Sequence, residues 1–312
     1  MNPTVEVSEL AKSFGSARAV EDVSFAVGQG EIFGLLGPNG AGKTTTIRLM
    51  LDIFKPDHGT VSILVGPMTE AKKERIGYMP EERGLYQDMQ LERCLIYLAG
   101  LKGLPAAEAK PRVAQYLERF DLAQHRHKKV KELSRGMQQK SQIINTVMHK
   151  PELLIVDEPF SGLDPVNTKL VKVLMDELRE GGTTIIMSTH MMHQVEELCD
   201  RIVLINRGRN VLYGRLSQIR RAYAGHAVLV RVDGPMPEVS GVETSLLHNG
   251  AVQLNLADDV TPQDVLAQLV SSQAKVEQFE IAAPGLDEIF IQAVGGEAAV
   301  EEAAPTGATG NE

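Results

Sequence analysis

The sequence predicts an α/β protein in which an inserted helical lobe interrupts a sheet domain and a small α+β domain follows. Short apolar, β-branched runs alternate with longer helical patterns from Thr4 to about Arg221, as in an α/β layer architecture. Residues from about 85 to 150 have helical patterns and no convincing strand. We therefore predict a first domain over 1–221 that includes this lobe, and a second domain over 222–295.

The strands and helices are assigned from their hydrophobic patterns. Four runs are apolar on both faces, as strands buried in a parallel sheet are: 32–37, 153–157, 184–188 and 202–205. Amphipathic segments predict helices over 43–51, 91–102, 111–120, 137–149, 166–179 and 192–198.

The second domain has a different texture. We predict a strand over 226–232, a hairpin at Asn249-Gly250, a helix opening at Thr261-Pro262, a strand over 276–281 and a helix over 286–294. Residues 296–312 offer little to bury and are expected to form a disordered tail.

Charge and composition exclude several classes of protein. The 32 Lys and Arg residues against 41 Asp and Glu residues give a net charge of −9, which offers no electrostatic footprint for nucleic acid. Cys94 and Cys199 stand far apart, so neither a disulfide framework nor a zinc site is indicated. No run approaches the roughly 20 apolar residues that span a bilayer, and no signal-peptide core is present. We expect a cytoplasmic protein that reaches a membrane only through a partner.

A glycine-rich segment follows the first predicted strand and opens a helix. It reads Gly37-Pro38-Asn39-Gly40-Ala41-Gly42-Lys43-Thr44 and matches the G-x-x-x-x-G-K-[ST] phosphate-binding loop. Backbone N–H groups at a helix N-terminus would surround the phosphates, Lys43 would reach the β- and γ-phosphates, and Thr44 would bind Mg²⁺. The alternative is a plain glycine-rich turn.

A second motif places two carboxylates at the end of the strand over 153–157. Asp157 is predicted to hold Mg²⁺ through water, and Glu158 to orient or deprotonate an attacking water. Ligands bind at this edge of open α/β sheets. The alternative is an acidic strand end without a chemical role.

These residues resemble those of the ATP-binding cassette (ABC) ATPases, and the resemblance covers about residues 4–221. The pentapeptide Leu133-Ser134-Arg135-Gly136-Met137 is similar to the family's LSGGQ signature. The resemblance implies ATP as the nucleotide and a head-to-tail dimer, either of two copies or of two different cassettes. In such a dimer Ser134, Arg135, Gly136 and Met137 would contact ATP bound to the other subunit. Ser134 is also suited to cap a helix.

The resemblance assigns further residues. Asp164 matches the D-loop at the dimer interface, His190 matches the switch histidine that contacts the γ-phosphate, and Thr45 joins the phosphate-binding group. Phe14 resembles the aromatic that stacks on adenine, although a buried strand aromatic would look the same.

Two positions depart from the family pattern. Glu81 stands where most members have a glutamine, and it retains an acceptor for Mg²⁺-bound water without a donor. In the signature, Arg135 replaces a glycine and Met137 replaces the glutamine. Together with the C-terminal domain, these features look like the subgroup that includes the ATPase subunits of sodium and drug exporters.

The sequence therefore predicts the ATP-hydrolysing subunit of an exporter, bound through an integral membrane subunit to the inner face of the cell membrane. Two alternatives remain: a soluble ABC switch acting on ribosomes or DNA, and a regulatory nucleotide-binding module with little turnover. The residues do not indicate the transported substance, because substrate contacts in this family lie in the membrane subunits.

Overall fold

The computed structural model describes residues 3–82, 84–223, 227–248, 251–257, 259–282 and 285–303. The chain divides into two compact units, Met1–Arg215 and Leu216–Glu312. The division falls six residues before the predicted boundary between 221 and 222. The short helix that follows Arg215 is grouped with the second unit, which its sequence pattern alone does not reveal.

The first unit is built on a nine-stranded sheet, and the predicted α/β class is confirmed. Its strands, in chain order, are β1 (Val5–Phe14), β2 (Ala17–Val27), β3 (Ile32–Leu36), β4 (His58–Ile63), β5 (Ile76–Met79), β6 (Leu153–Asp157), β7 (Thr184–Thr189), β8 (Arg201–Asn206) and β9 (Arg209–Arg215). They lie in the order β4-β1-β2-β9-β8-β3-β7-β6-β5. Strands β8, β3, β7, β6 and β5 run parallel to one another, whereas β9 pairs antiparallel with β8 and β1 pairs antiparallel with β2 and β4.

Seven α-helices accompany these strands in the described part of the first unit. They are α1 (Lys43–Met50), α2 (Glu70–Lys73), α3 (Leu91–Leu101), α4 (Ala106–Arg119), α5 (Arg135–Val147), α6 (Pro165–Glu180) and α7 (Met192–Leu198). Helices α3, α4 and α5 occupy the region where the sequence predicts a helical lobe. The described residues between 85 and 150 contain no strand.

The predicted strands are those whose residues are buried almost throughout. Strands β3, β6 and β7 are buried at every position, and β8 is buried at its four central positions. The prediction missed β1 and β2, which mix buried and exposed residues, β9, in which no residue is fully buried, and β5, which has four residues. It also missed β4, which buries only Ile63. A continuous apolar run does not identify strands of these kinds.

The second unit holds a four-stranded antiparallel sheet and three helices among its described residues. Its elements are α8 (Leu216–Ala222), β10 (Ala227–Asp233), β11 (Val242–His248), β12 (Ala251–Leu256), α9 (Pro262–Ser271), β13 (Lys275–Ile281) and α10 (Leu286–Ala303). The strand order is β11-β12-β10-β13. Val265 and Leu269 of α9 belong to the same core as Val228, Val230 and Leu254 of the sheet.

The end of the chain requires a correction. Helix α10 continues to Ala303, whereas the sequence predicts that it ends at residue 294 and that a disordered tail begins at residue 296. The run Glu297-Ala298-Ala299-Val300-Glu301-Glu302-Ala303 is rich in alanine and glutamate, which favour helix even with little to bury. The rest of the predicted tail and the Asn249-Gly250 turn lie outside the described residues.

His149 makes the stability of the fold sensitive to acid. Its Nε2 lies 3.3 Å from the Ile76 carbonyl oxygen, and its Nδ1 is buried without a partner in the described structure. Burial, with smaller contributions from Lys102 and Arg112, lowers the pKa of His149 to about 4. The unfolded chain, with a histidine pKa near 6.5, therefore binds more protons over this interval. The free energy of unfolding must decrease as the pH falls from 6.5 towards 4.

We expect His149→Gln to remove about 2 kcal/mol of this acid sensitivity. Denaturant unfolding at pH 7 and pH 4.5 measures the difference in each protein. The exposed His127 provides a matched control, and His127→Gln should leave the pH dependence unchanged. Equal acid sensitivity in wild type and His149→Gln would contradict the assignment.

Candidate functional site

The loop between β3 and α1 has a backbone path that requires glycine at two positions. Gly37 has a φ of 148°, and a Cβ there would lie 2.2 Å from the carbonyl oxygen of Ile205. Gly42 has a φ of 107°, and a Cβ there would lie 2.4 Å from the carbonyl oxygen of Ala19. Helix α1 begins at the next residue and has no acidic residue in its first turn. Its positive end is thus available to an anion.

Lys43 is held across this loop. Its Nζ donates to the carbonyl oxygens of Gly37 at 2.8 Å and Pro38 at 3.1 Å, and only 7% of the residue is exposed. Burial lowers the pKa of Lys43, while the charges of Glu158, Asp157 and Glu81 act in the opposite direction. The ammonium group is therefore poorly solvated and already oriented, which strengthens its attraction to a phosphate.

Asp157 joins the end of β6 to the start of α1. Its Oδ2 accepts a hydrogen bond from Thr44 Oγ1 at 2.9 Å, and its Oδ1 accepts one from the Ser188 hydroxyl. The residue is 1% exposed. The structure thus brings the predicted pair of Mg²⁺ residues into direct contact.

Glu158 is held by the end of β7. Thr189 Oγ1 donates to its Oε2 at 3.0 Å, the His190 N–H donates to its Oε1 at 3.0 Å, and His190 Nδ1 lies 2.7 Å from the same oxygen. The backbone has a φ of 50°, which is unfavourable for a residue with a Cβ. Its N–H donates to the Ser188 carbonyl, and its own carbonyl accepts from Gln139 Nε2. These bonds hold a strained conformation, as is common at active sites.

The loop and the strand ends enclose one cleft of about 280 Å³. Its lining residues are Ala19, Asn39, Gly40, Gly42, Lys43, Thr44, Thr45, Glu81, Asp157 and Glu158. Gly37, Pro38 and the buried Ala41 belong to the same loop but do not line this cleft. His190 reaches the cleft through its contact with Glu158.

The signature and D-loop residues lie together elsewhere in the first unit. Ser134 caps α5 by accepting the Met137 N–H at 3.3 Å, and both Ser134 and Arg135 are exposed. A Cβ on Gly136 would lie 3.2 Å from the carbonyl oxygen of Gly162, so the two segments adjoin. Asp164 caps α6 by accepting the Asn167 N–H at 2.9 Å, and this bond holds the pKa of Asp164 below its usual range.

Phe14 lies outside the cleft lining. It is 46% exposed, its ring packs edge-on against Phe54 with 5.3 Å between the ring centroids, and Lys12 Nζ lies 5.7 Å from its centroid. The alternative of a buried strand aromatic is therefore wrong. Stacking on adenine stays a prediction.

Sequence reasoning missed the side chains that hold the two carboxylates. Ser188 and Thr189 are fully buried hydroxyl residues at the end of β7, and Gln139 is a buried amide on α5. The signal for the first two was present, because polar residues end an otherwise apolar strand whose carboxyl end shares an edge with β6. Gln139 gave no such signal, since its acceptors become neighbours only in the folded chain.

A glycine-rich loop at a helix N-terminus, a buried lysine and two carboxylates at the end of a nearby strand define a P-loop nucleoside triphosphatase. Comparison with known proteins specifies the family. The ABC transporter family matches residues 20–161, and the family described as the C-terminal domain of DrrA1-3-like ATP-binding proteins matches residues 214–294.

Two curated relatives and one solved structure support the same family. The ABC transporter ATP-binding protein YhaQ of Bacillus subtilis is 40% identical over 292 residues, which cover 93% of this chain and 98% of YhaQ. Nod factor export ATP-binding protein I of Paraburkholderia xenovorans is 35% identical and covers 75% of this chain and 77% of its own length. A structure of the ATP-binding subunit of an ABC transporter superposes with a TM-score of 0.66 at 34% identity, over 70% of this chain and 93% of that one.

The chain belongs to the family of ABC transporter ATP-binding proteins. It binds ATP and is an ATPase that serves as the nucleotide-hydrolysing subunit of a transporter. Such subunits work with membrane subunits. The comparisons do not favour the alternatives of a ribosome or DNA switch or a regulatory module. In the part of the chain that the structure describes, no helix is both long and apolar enough to cross a membrane.

Proposed function

We propose that this ATPase powers export through a separate integral membrane subunit by hydrolysing MgATP at two sites shared within a head-to-tail dimer. One observation carries the proposal: Ser134 is exposed at the start of α5, and the residues found to line the phosphate cleft do not include 134–137 or Asp164. A capped helix N-terminus is suited to an anion. In a head-to-tail pair, ATP held by residues 37–45 of one subunit would meet this helix start in the other.

The donor set of the cleft fits Mg²⁺. Thr44 Oγ1 and Asp157 Oδ2 are hard oxygen ligands 2.9 Å apart, and Glu81 lines the same cleft. No group of three or more His, Cys, Asp or Glu side chains in the described residues could hold a metal alone. Because Mg²⁺ commonly binds through one or two side chains together with phosphate oxygens and water, Thr44, Asp157 and Glu81 would hold it as MgATP. Bound there, the ion would neutralise phosphate charge.

Glu158 is proposed to orient and deprotonate the attacking water. Its carboxylate lines the cleft and accepts hydrogen bonds from Thr189 and His190, so its position is defined before ATP binds. The His190 side chain is 56% exposed and lies beside this carboxylate. We assign it to the γ-phosphate, while Lys43 stabilises the transferred charge. Phe14, which is exposed, is assigned to adenine.

The proposals of export and of a peripheral location on the inner face of the membrane rest on similarity to other proteins rather than on the geometry of the cleft. The relative from Paraburkholderia is named for Nod factor export, and the second unit of this chain matches the DrrA1-3-like C-terminal domain. A net charge of −9 supports the absence of nucleic acid among the partners. Homodimer and cassette heterodimer both satisfy the proposed geometry.

Affinity purification from native membranes in mild detergent tests the proposed partner. We expect a multi-spanning protein to co-purify in stoichiometric amount with the full chain. A parallel purification with the phosphate-loop variant Lys43→Met should retain this partner, because assembly does not require hydrolysis. Recovery of only ribosomal, nucleic-acid-associated or other non-membrane proteins, with ATPase activity intact, would overturn the export proposal.

A further inference from the structure

Helix α5 carries three buried glutamines, and each of them binds a different loop through its carboxamide. Each carboxamide nitrogen donates to two backbone carbonyl oxygens: Gln138 to those of Val130 and Leu133, Gln139 to those of Glu158 and Pro159, and Gln142 to those of Pro80 and Glu82. The first loop precedes the signature, the second contains Glu158, and the third contains Glu81. One helix thus binds two segments whose residues line the cleft and the segment that leads to the signature.

Neither the sequence nor the family resemblance assigns the contact of Gln142. Its Nε2 lies 3.4 Å from the Pro80 oxygen and 3.1 Å from the Glu82 oxygen, and the residue is 3% exposed. These two carbonyls stand on either side of Glu81. The backbone of Glu81 is therefore tied to α5, whereas its carboxylate is free to line the cleft.

The oxygen of the same carboxamide indicates that the contact does more than stabilise the fold. Gln142 Oε1 is buried and has no hydrogen-bond partner among the described residues. An apolar side chain of similar length would avoid burying an unsatisfied oxygen. The reverse orientation of the amide would place this oxygen against two carbonyl oxygens, so the network determines which end faces the loop. What the glutamine adds over an apolar residue is its hold on residues 80–82.

We infer that Gln142 is a positioning residue for the nucleotide site, which holds the loop around Glu81 so that its carboxylate faces Lys43 and the Asp157–Glu158 strand end. The inference rests on the proposed function for the assignment of Glu81 to Mg²⁺. Because Ser134 begins the helix on which Gln142 lies, the same contact links the metal side of the cleft to the signature. Movement of α5 would move Glu81 with it.

Hydrogen exchange on the full chain tests the contact itself. In Gln142→Met, which keeps the length of the side chain and loses the donor, peptides spanning residues 76–82 should exchange at least about 10-fold faster, because the loop that follows β5 loses both bonds and the end of β5 opens more often. Gln142→Glu serves as a second variant, since a carboxylate facing two carbonyls also loses both bonds. Gln138→Met removes an equivalent pair of bonds from the same helix and should leave exchange at 76–82 unchanged.

Binding of Mn²⁺, detected by electron paramagnetic resonance in the presence of a non-hydrolysable ATP analogue, tests the consequence for the metal. Gln142→Met should weaken Mn²⁺ binding about 10-fold, as the loss of a supporting residue does at other metal sites. In a Glu81→Ala background the same substitution should change Mn²⁺ affinity by less than about twofold, because its effect passes through Glu81. Gln138→Met should leave the affinity unchanged in both backgrounds.

The two measurements separate failure of the inference from failure of the proposed Mg²⁺ assignment. Unchanged exchange at 76–82 in both Gln142 variants would overturn the inference. A full 10-fold loss of Mn²⁺ affinity from Gln142→Met in the Glu81→Ala background would also overturn it. Faster exchange combined with wild-type Mn²⁺ binding in both Glu81→Ala and Gln142→Met would support the contact and overturn the assignment of Glu81 to the metal.

Discussion

Replacing Glu158 with glutamine is expected to lower ATP turnover by about 10²- to 10⁴-fold, the range of a lost general base. Glutamine has the same shape: its Oε1 can still accept the His190 N–H, and its Nε2 can donate to the Thr189 hydroxyl oxygen instead of accepting from it. The loop over 37–44 and Lys43 are unchanged, so ATP affinity should stay within about threefold of wild type. Steady-state phosphate release and equilibrium binding of a fluorescent ATP analogue measure the two quantities.

The same variant should form a stable dimer with ATP, because bound nucleotide is no longer consumed. Light scattering should show a doubling of molar mass on addition of MgATP and none with MgADP. Adding Ser134→Glu places a carboxylate at the helix start proposed to face the triphosphate, and this double variant should bind ATP yet stay monomeric. Ser134 is exposed, so the change leaves the core intact.

Wild-type turnover in Glu158→Gln would contradict the role of Glu158, whatever its effect on assembly. An ATP-dependent dimer that persists with Ser134→Glu would instead contradict the placement of the signature, while leaving the role of Glu158 untouched. The two substitutions therefore test separate parts of the proposed mechanism.

Lys43→Met is expected to weaken ATP binding by about 30- to 100-fold. A charge-assisted hydrogen bond contributes about 2–3 kcal/mol, which corresponds to that change in Kd. The structure favours the upper part of this interval, because the ammonium group is buried and its bonds to the Gly37 and Pro38 carbonyls orient it before nucleotide arrives. Equilibrium titration with a fluorescent ATP analogue measures the effect.

The loss of ATP affinity in Lys43→Met should not be accompanied by a loss of stability. Burial lowers the pKa of Lys43, so the charged form is disfavoured where it lies, and methionine should leave the melting temperature without nucleotide close to that of wild type. Lys55→Met is a matched control, since Lys55 is exposed and pairs with Asp52 on the surface. It should change neither binding nor stability. Wild-type ATP affinity in Lys43→Met would show that residues 37–44 are not a phosphate-binding loop.

The parts of the fold that sequence could predict are those that local pattern determines. The buried strands β3, β6, β7 and β8 and the helices α1 to α7, apart from the four-residue α2, follow from apolar runs and helical periodicity. An apolar run does not identify β1 and β2, because buried and more exposed residues alternate along them and the register of their pairing changes. Their burial is decided by partners distant in the sequence.

The same division applies to the site. Lys43, Thr44, Asp157 and Glu158 could be named in advance because the chemistry of phosphate and metal demands those residue types at fixed spacing. Gln139 and Gln142 could not, because each donates to backbone carbonyls, and every residue carries a carbonyl. Only the fold decides which carbonyls they reach. Helix propensity likewise decided α10, where alanine and glutamate outweighed the lack of apolar residues to bury.

The bond between Thr44 and Asp157 joins residues that lie 113 positions apart in the chain, and this separation has a consequence for biosynthesis. The loop emerges from the ribosome early, but the cleft is complete only after β6 and β7 have joined β3, because a chain that ends before β6 lacks Asp157 and Glu158. Ligand that binds only the completed fold stabilises it by about 2.7 kcal/mol at 100 times its Kd. ATP, which drives the transporter subunit, thus also stabilises the chains that have folded correctly.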